Sequence, residues 1–490
     1  MMTDAMTSRL RPIQPGKTTL VAVLDIGSTK ICCVIARLTP RAEGKALRGR
    51  THQAEVIGFG YGPSSGVKSG VVTDIEKAEH TIRSVVGMAE RAAGLTLESV
   101  LVNVTAGRLG SETFSAAVAL DGQEVEKSDI YRVLRAVNDR SVRPERSIIH
   151  AMPIGYSIDG QKGIRDPKGM VGDKLGVDVA VVSSETLAMR NLELVLHRCH
   201  LQIEALIATP YASGLATLVD DEAQLGVACI DFGGATTTVS VFNEGHLVYA
   251  DAIAIGGHHL TLDIARQLSV SVADAERLKT FYGSVLPGQA DERDMIPIQP
   301  VGAMHDEAPG QVARSVLTRI MRPRIEEILT AIRDRMQATG MMDVCGRRFV
   351  LTGGASEMTG LPEVARRTLA RNVRTGRPMG IAGLPEMAKG AAFATVAGML
   401  IYPQVCGREY AEPRSSRKLT GTDGYFHRVG NWLRTSFYIA CNLVATVTLA
   451  SCPDQEITNV FTCRQTANRP ACAQSPGRQC SRCSSGAARR

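Results

Sequence analysis

Two acidic, glycine-bearing turns about 200 residues apart constrain this chain more than any other feature. The first is Leu24-Asp25-Ile26-Gly27-Ser28-Thr29-Lys30, the second Ile230-Asp231-Phe232-Gly233-Gly234-Ala235-Thr236-Thr237-Thr238. Each follows an apolar run (residues 20–24 and 227–230) and precedes a β-prone one (31–35 and 238–242), which predicts strand, tight turn, strand. Glycine in such a turn lets backbone N–H groups approach phosphate oxygens, and the hydroxyls of Ser28, Thr29 and Thr236 add hydrogen bonds. Asp25 and Asp231 suit a hydrated magnesium ion, which takes few carboxylates and completes its shell with waters and substrate phosphates. One Asp-x-Gly turn marks an ordinary hairpin. Its repetition at domain-sized spacing points to two lobes closing on one nucleoside triphosphate.

A third glycine loop, Gly353-Gly354-Ala355-Ser356, follows the apolar run 349–352, and Pro362 at a tolerated early position opens a predicted helix over 362–369. Between the second and third loops, Ala275-Glu276-Arg277-Leu278-Lys279 has helical character and is followed by Gly283. A Gly-Gly loop can approach a purine and ribose closely, and Glu276 can accept from ribose hydroxyls. Taken alone, Glu276 and Lys279 read as a solvated helix face. In register with three such loops they join the nucleotide site.

One more stretch is distinctive: Ile148-Ile149-His150-Ala151-Met152-Pro153-Ile154-Gly155-Tyr156-Ser157-Ile158-Asp159-Gly160, continuing through Ile164-Arg165-Asp166-Pro167 and Gly176-Val177-Asp178. The loop order resembles the actin-like ATPase superfamily. With this stretch, the chain is similar to the FtsA family of bacterial cell-division proteins, of the alphaproteobacterial type, over residues 18 to 437. The resemblance implies an α/β, actin-like (ribonuclease-H-like), two-lobed ATPase fold with an FtsA-type inserted subdomain and a C-terminal amphipathic helix. It implies ATP and Mg2+ as cofactors, with Asp25 and Asp231 holding the metal through water and the turns at Gly27, Ser28, Thr29 and at Gly233, Gly234, Ala235, Thr236 cradling phosphates. Lys30 would neutralise phosphate charge, and Gly353, Gly354, Ala355, Glu276 and Lys279 would hold the adenosine. Its implied partners are the acidic C-terminal tip of FtsZ, further copies of itself in filaments, anionic lipid and later division proteins. The basic helix 314–335 matches the FtsZ-binding region, with Arg319, Arg322 and Arg324 as contacts and Arg324 foremost because of the Pro323-Arg324 pair. Each arginine also reads as part of a solvated face. No acid or amide placed to position a hydrolytic water is identifiable, so at most slow ATPase activity is expected. Rival readings are a sugar kinase, which needs a sugar pocket, a chaperone, which needs a large peptide-binding domain after the ATPase, and a pilus-assembly adaptor of the same fold.

The implied layout is a disordered arm (1–17), lobe I (18–100 and 181–224) interrupted by the insert (101–180), lobe II (225–262 and 345–402) interrupted by a small subdomain (263–344), a linker (403–423), the amphipathic helix (424–437) and an atypical tail (438–490). Periodicity predicts a helix over 77–93 with Ile82, Val85, Val86 and Ala89 inward, a strand over 100–104 and a helix near 128–137 capped by Ser128. A strand over 179–182 is expected to return the chain to lobe I. Residues 284–310, rich in Pro, Gly and Asp, predict an exposed loop.

Charge and cysteine separate body from tail. The net charge is +7, of which residues 438–490 carry +4 through six arginines against Asp454 and Glu456. The remaining +3 over 437 residues makes the body close to neutral and gives no reason to expect a nucleic-acid partner. Six of the twelve cysteines lie in the last fifty residues, and Cys480 and Cys483 have metal-pair spacing with no second pair near them. This composition suits an out-of-frame translation better than an evolved domain. No run of eighteen apolar residues occurs, so the expectation is a cytoplasmic protein at the inner face of the inner membrane at the division site. Its anchor is the segment in which Phe426, Val429, Trp432, Leu433 and Phe437 share one helical face beside Arg428 and Arg434, a pattern suited to the lipid headgroup boundary.

Overall fold

Alternating apolar runs and turns build the same five-stranded arrangement twice, once within a six-stranded sheet and once within a nine-stranded one. In the first, Thr19–Ile26 pairs antiparallel with Lys30–Pro40, which pairs antiparallel with His52–Pro63; on its other side Thr19–Ile26 runs parallel to Ser99–Val104, which is parallel to Gln202–Ala208. In the second, Val227–Phe232, Thr237–Asn243, His246–Ile253, Arg348–Thr352 and Asn372–Thr375 repeat that order and those directions. The central strands are buried on both faces, which is why they read as continuous apolar runs rather than alternating ones. The structure, a computed structural model, describes residues 10, 12–41, 50–105, 108–141, 143–302 and 310–410, all within the unit Met1–Pro413. The second unit, Arg414–Arg490, with the expected amphipathic helix and the tail, lies outside the described residues.

The helix Ile75–Ala93 covers the first sheet. Asp74 caps it by accepting from the Lys77 N–H at 3.1 Å, Gly94 ends it in the left-handed conformation, and Ile82, Val85, Val86 and Ala89 are buried as expected. Two connectors cross behind the lobes, Thr209–Thr217 and Ala394–Val405. Their contact is so close that a side chain at Gly398 would collide with the Ala212 carbonyl oxygen. The two connectors thus cross at small residues, Ala212 on one and Gly398 on the other.

The insert is strand Gly110–Ala119, helix Lys127–Ser141, then strands Arg146–Ile158 and Lys174–Glu185, with its own apolar core around Val133, Val137, Leu175 and Val179. Several expectations change here. Ser128 lies inside the helix rather than capping it; the Glu126 N–H instead bonds the Asp129 carboxylate at 3.0 Å. Residues 179–182 belong to the insert's central strand, paired on both sides, and the helix Thr186–Arg198 carries the chain back. The insert departs from lobe I yet hydrogen-bonds to lobe II. Gly110 bridges Asp251, and the Ala250 N–H donates to Ser111 Oγ at 2.7 Å, so one nine-stranded sheet runs through both.

Two other segments also differ. Leu10 and Ile13 of the expected arm pack on the lobe I core, and the Ile13 N–H donates to Pro403 O, because apolar side chains there find a hydrophobic groove. Within the expected loop 284–310, Ser284, Val285 and Asp291 are buried, and Met295–Ile298 pairs with Gly310–Ala313.

Candidate functional site

Both hairpin turns, the Gly353 loop and the helix Val272–Tyr282 open onto one cavity of about 710 Å³ between the lobes. Asp25, Gly27, Ser28, Thr29, Lys30, Asp231, Gly233, Gly234, Thr236, Glu276, Lys279, Gly353, Gly354 and Ala355 line it. Ala235 is buried but does not line it.

The two turns share one geometry. The Gly27 N–H donates to Lys30 O at 3.0 Å, and a side chain at Gly27 would come within 2.9 Å of that oxygen; at Gly233 the corresponding approach is 2.7 Å to Thr236 O. The turns also face each other, since a side chain on Gly234 would strike the Thr29 hydroxyl. Gly353, at φ +84°, lies against the Asp231 carboxylate and leaves no room for a side chain.

Asp25 and Asp231 are almost wholly buried, and burial pushes both carboxyl groups up to about 6. For Asp25, Lys30 opposes this and Asp231 adds to it; for Asp231, the hydroxyls of Thr395 and Ser213 and then Lys30 oppose it. Thr395 Oγ1 donates to Asp231 Oδ2 at 3.2 Å. Lys30 donates to the Ala392 carbonyl and sits over the Phe393 ring, 3.5 Å from its centroid, and burial lowers its own ammonium pKa. Two buried carboxylates share one cationic side chain here, so a divalent cation would relieve them. Among the described residues no cluster of three or more His, Cys, Asp or Glu forms a metal site, so a cation in the cleft would complete its shell with water and a ligand's oxygens.

Glu276 and Lys279 meet on the cavity wall. Burial raises the Glu276 pKa, but hydrogen bonds from Lys279 Nζ at 2.7 Å and Thr261 Oγ1 at 2.5 Å outweigh it and the net shift is downward. Both bonds fall on Oε2.

Several lining residues escaped the sequence analysis. Asn103 interrupts an apolar strand: its Oδ1 accepts from the Ile26 N–H at 2.7 Å and its Nδ2 donates to Thr209 Oγ1 at 3.2 Å, fixing the floor beneath Asp25. Glu357 accepts from the Ala391 N–H at 3.1 Å, and Tyr61, Phe393, Thr395 and Thr238 complete the walls. A polar residue inside an apolar strand was the one available signal, and only at Asn103. Behind the cavity, His150 is buried between Glu409, whose carboxylate lies 3.0 Å from its Nδ1, and the Ala208 N–H, which donates to Nε2 at 2.9 Å. His150 therefore joins the insert, the end of strand Gln202–Ala208 that leads into the first connector, and the last described turn of the chain.

The expected arginine contacts are not brought to this cleft. Arg324 holds Asp263 through two nitrogens, at 2.8 and 3.1 Å, and Glu327 at 2.6 Å; Arg322 pairs with Glu326 at 2.8 Å. Arg319 is exposed on the same helix, Arg314–Ala338, with no ion pair among the described residues.

The family model described as "Cell division protein FtsA" matches residues 228–398, and that described as "SHS2 domain inserted in FTSA" matches residues 106–183. "Cell division protein FtsA" of Agrobacterium fabrum is 56% identical over 431 residues, covering 88% of this chain and 97% of that protein. The chain belongs to the FtsA family. The Rhizobium meliloti FtsA is 54% identical with the same coverage, and the Pseudomonas aeruginosa FtsA is 33% identical over 80% of this chain and 90% of its own. This FtsA-family chain is thus a cell-division protein of the alphaproteobacterial type. A solved "PilM-PilN type IV pilus biogenesis complex" superposes with a TM-score of 0.54 at 15% identity, covering 78% of this chain and 98% of that one, a likeness of fold.

Proposed function

We propose that this FtsA-family protein binds ATP with Mg2+ between its lobes, assembles into filaments with further copies of itself, and ties FtsZ protofilaments to the cytoplasmic face of the inner membrane at the division site. The observation that carries the nucleotide reading is the pair of buried carboxylates on matched hairpins, raised in pKa and facing one cavity beside Lys30. Asp25 and Asp231 would hold the hydrated cation, which supplies charge neutralisation for the phosphates. The Gly27–Thr29 and Gly233–Thr236 turns would take phosphate oxygens, and Glu276, Lys279 and the Gly353–Ala355 loop the nucleoside. Isothermal titration of the folded protein with ATP and ADP tests this; absence of affinity for both overturns it.

Membrane attachment rests on the stripe Phe426, Val429, Trp432, Leu433, Phe437. One such helix binds weakly, and many on a filament bind by avidity. No helix among the described residues is long and apolar enough to cross a membrane. Trp432→Glu is expected to abolish flotation with anionic liposomes. For the acidic FtsZ tip, Arg319 offers its charge freely, whereas Arg324 is shared with Asp263 and Glu327. Arg319→Glu is expected to weaken tip-peptide binding without loss of ATP affinity. Later division proteins would dock on the insert. Relatives at 54–56% identity across nearly their whole length favour this reading over the pilus-adaptor and sugar-kinase alternatives.

A further inference from the structure

One hydroxyl in the cleft has no partner. Thr238 is 2% exposed, its Oγ1 is buried, and it makes no hydrogen bond among the described residues. It lines the cavity, and the register of Val227–Phe232 with Thr237–Asn243 sets it directly opposite Asp231, so the two side chains rise from one face of the sheet. The other threonines beside Asp231 are committed: Thr352 donates to the Gly376 and Ala391 carbonyls, and Thr395 to Asp231 itself. The strand has no need of a hydroxyl here, since valine has the same shape, favours a strand equally and leaves no polar atom unpaired. In lobe I the matching position, opposite Asp25, holds the fully buried Cys32, which does not line the cavity.

We propose that Thr238 is a further residue of the metal–nucleotide site, its hydroxyl bonding a water in the hydration shell of the divalent cation. This rests on the nucleotide reading of the cleft. Magnesium keeps several of its waters, and each is a strengthened donor that needs an acceptor once water is excluded. Of the threonines that flank Asp231, Thr238 is the one whose hydroxyl engages neither its proton nor its lone pairs, so it can take one of these waters without giving up another bond.

The test is titration with ADP in EDTA and in Mg2+, for the full chain and for Thr238→Val, Thr238→Ser and Ser240→Ala. Ser240 carries a second buried, unpaired hydroxyl on the same strand, outside the cavity, and serves as the control. Thr238→Val is expected to leave ADP affinity in EDTA within about twofold and to cut the gain on adding Mg2+ about tenfold, the worth of one hydrogen bond. Thr238→Ser keeps that gain, Ser240→Ala leaves it unchanged, and the ligand-free melting temperature of Thr238→Val stays level or rises. A full Mg2+ gain in Thr238→Val overturns the proposal. So does a joint fall in its melting temperature and its EDTA affinity, which would mark a structural role. A wild type that binds ADP with a Mg2+ gain while the variant matches it sinks this inference alone; a wild type with no nucleotide affinity sinks the reading beneath it.

Discussion

The two hairpins have one backbone and different chemistry. Position by position, lobe I reads Asp25, Gly27, Ser28, Thr29, Lys30, Cys32, where lobe II reads Asp231, Gly233, Gly234, Ala235, Thr236, Thr238. The glycine is common because the turn needs it in both, and the proposed cation would draw on both aspartates. Elsewhere the lobes divide the work. Lobe I contributes the positive charge and a side-chain hydroxyl at the tip; lobe II contributes a bare backbone at Gly234, which lets Thr29 come close. A duplicated scaffold thus makes an asymmetric site, as binding an asymmetric ligand requires.

The largest test of that comparison is removal of each aspartate. Asp25→Ala and Asp231→Ala are both expected to weaken Mg·ATP binding about 100-fold or more, read by titration, because each leaves the cation a single carboxylate. If one lobe suffices, one of them will bind normally and the pairing of the hairpins fails as an explanation.

Next in size is the pH dependence of the ligand-free protein. Burial pushes both carboxyl groups up to about 6 in the folded protein, against about 3.8 for an exposed aspartate. The folded state therefore holds more protons between those values. Its contribution to stability is fully present below about pH 4 and is lost as pH rises through about 6, by up to about 3 kcal/mol per group. Urea unfolding from pH 4 to 7.5 should show this loss, and asparagine at either position should reduce it. Lys30 is the leading opponent of the Asp25 shift and the weakest of those acting on Asp231. Since the two shifts are of the same size, Asp25→Asn and Asp231→Asn should each stabilise the ligand-free protein at pH 7.5, and to a similar extent. A large inequality between them would break the equivalence of the two hairpins.

The smallest effect concerns Lys30 alone. Lys30→Gln is expected to weaken ATP binding about tenfold and ADP binding less, since the charge it balances lies on phosphate. Thr236→Lys in lobe II should not rescue it, because the Ala392 carbonyl and Phe393 ring that hold Lys30 lie against the first hairpin.

The turns and the Gly353 loop were legible in the sequence because each is local: a glycine, an acid and two apolar runs sit within about ten residues. Helix Ile75–Ala93 was legible for the same reason, through its period and its Gly94 stop. Asn103, Thr209 and Thr395 were not, because each is one polar residue among apolar neighbours and only the folded arrangement brings them to the cleft; Thr238 was not, because it is one of three consecutive threonines and only the strand register tells which of them stands opposite Asp231. Ser128 misled because a cap depends on where the backbone turns helical, and Glu126 and Asp129 set that point. The joining of the insert to lobe II rests on Ser111 and Ala250, 139 residues apart, and nothing near either residue announces it.

That join has a mechanical consequence. The insert is strung on the chain of one lobe and stitched to the sheet of the other, only two strands away from the one that bears Asp231. Spreading the lobes must bend this bridge or break its stitches at Gly110 and Ser111. Anything gripping the insert from outside thereby has hold of both jaws, and a tug there is felt where the phosphates would lie.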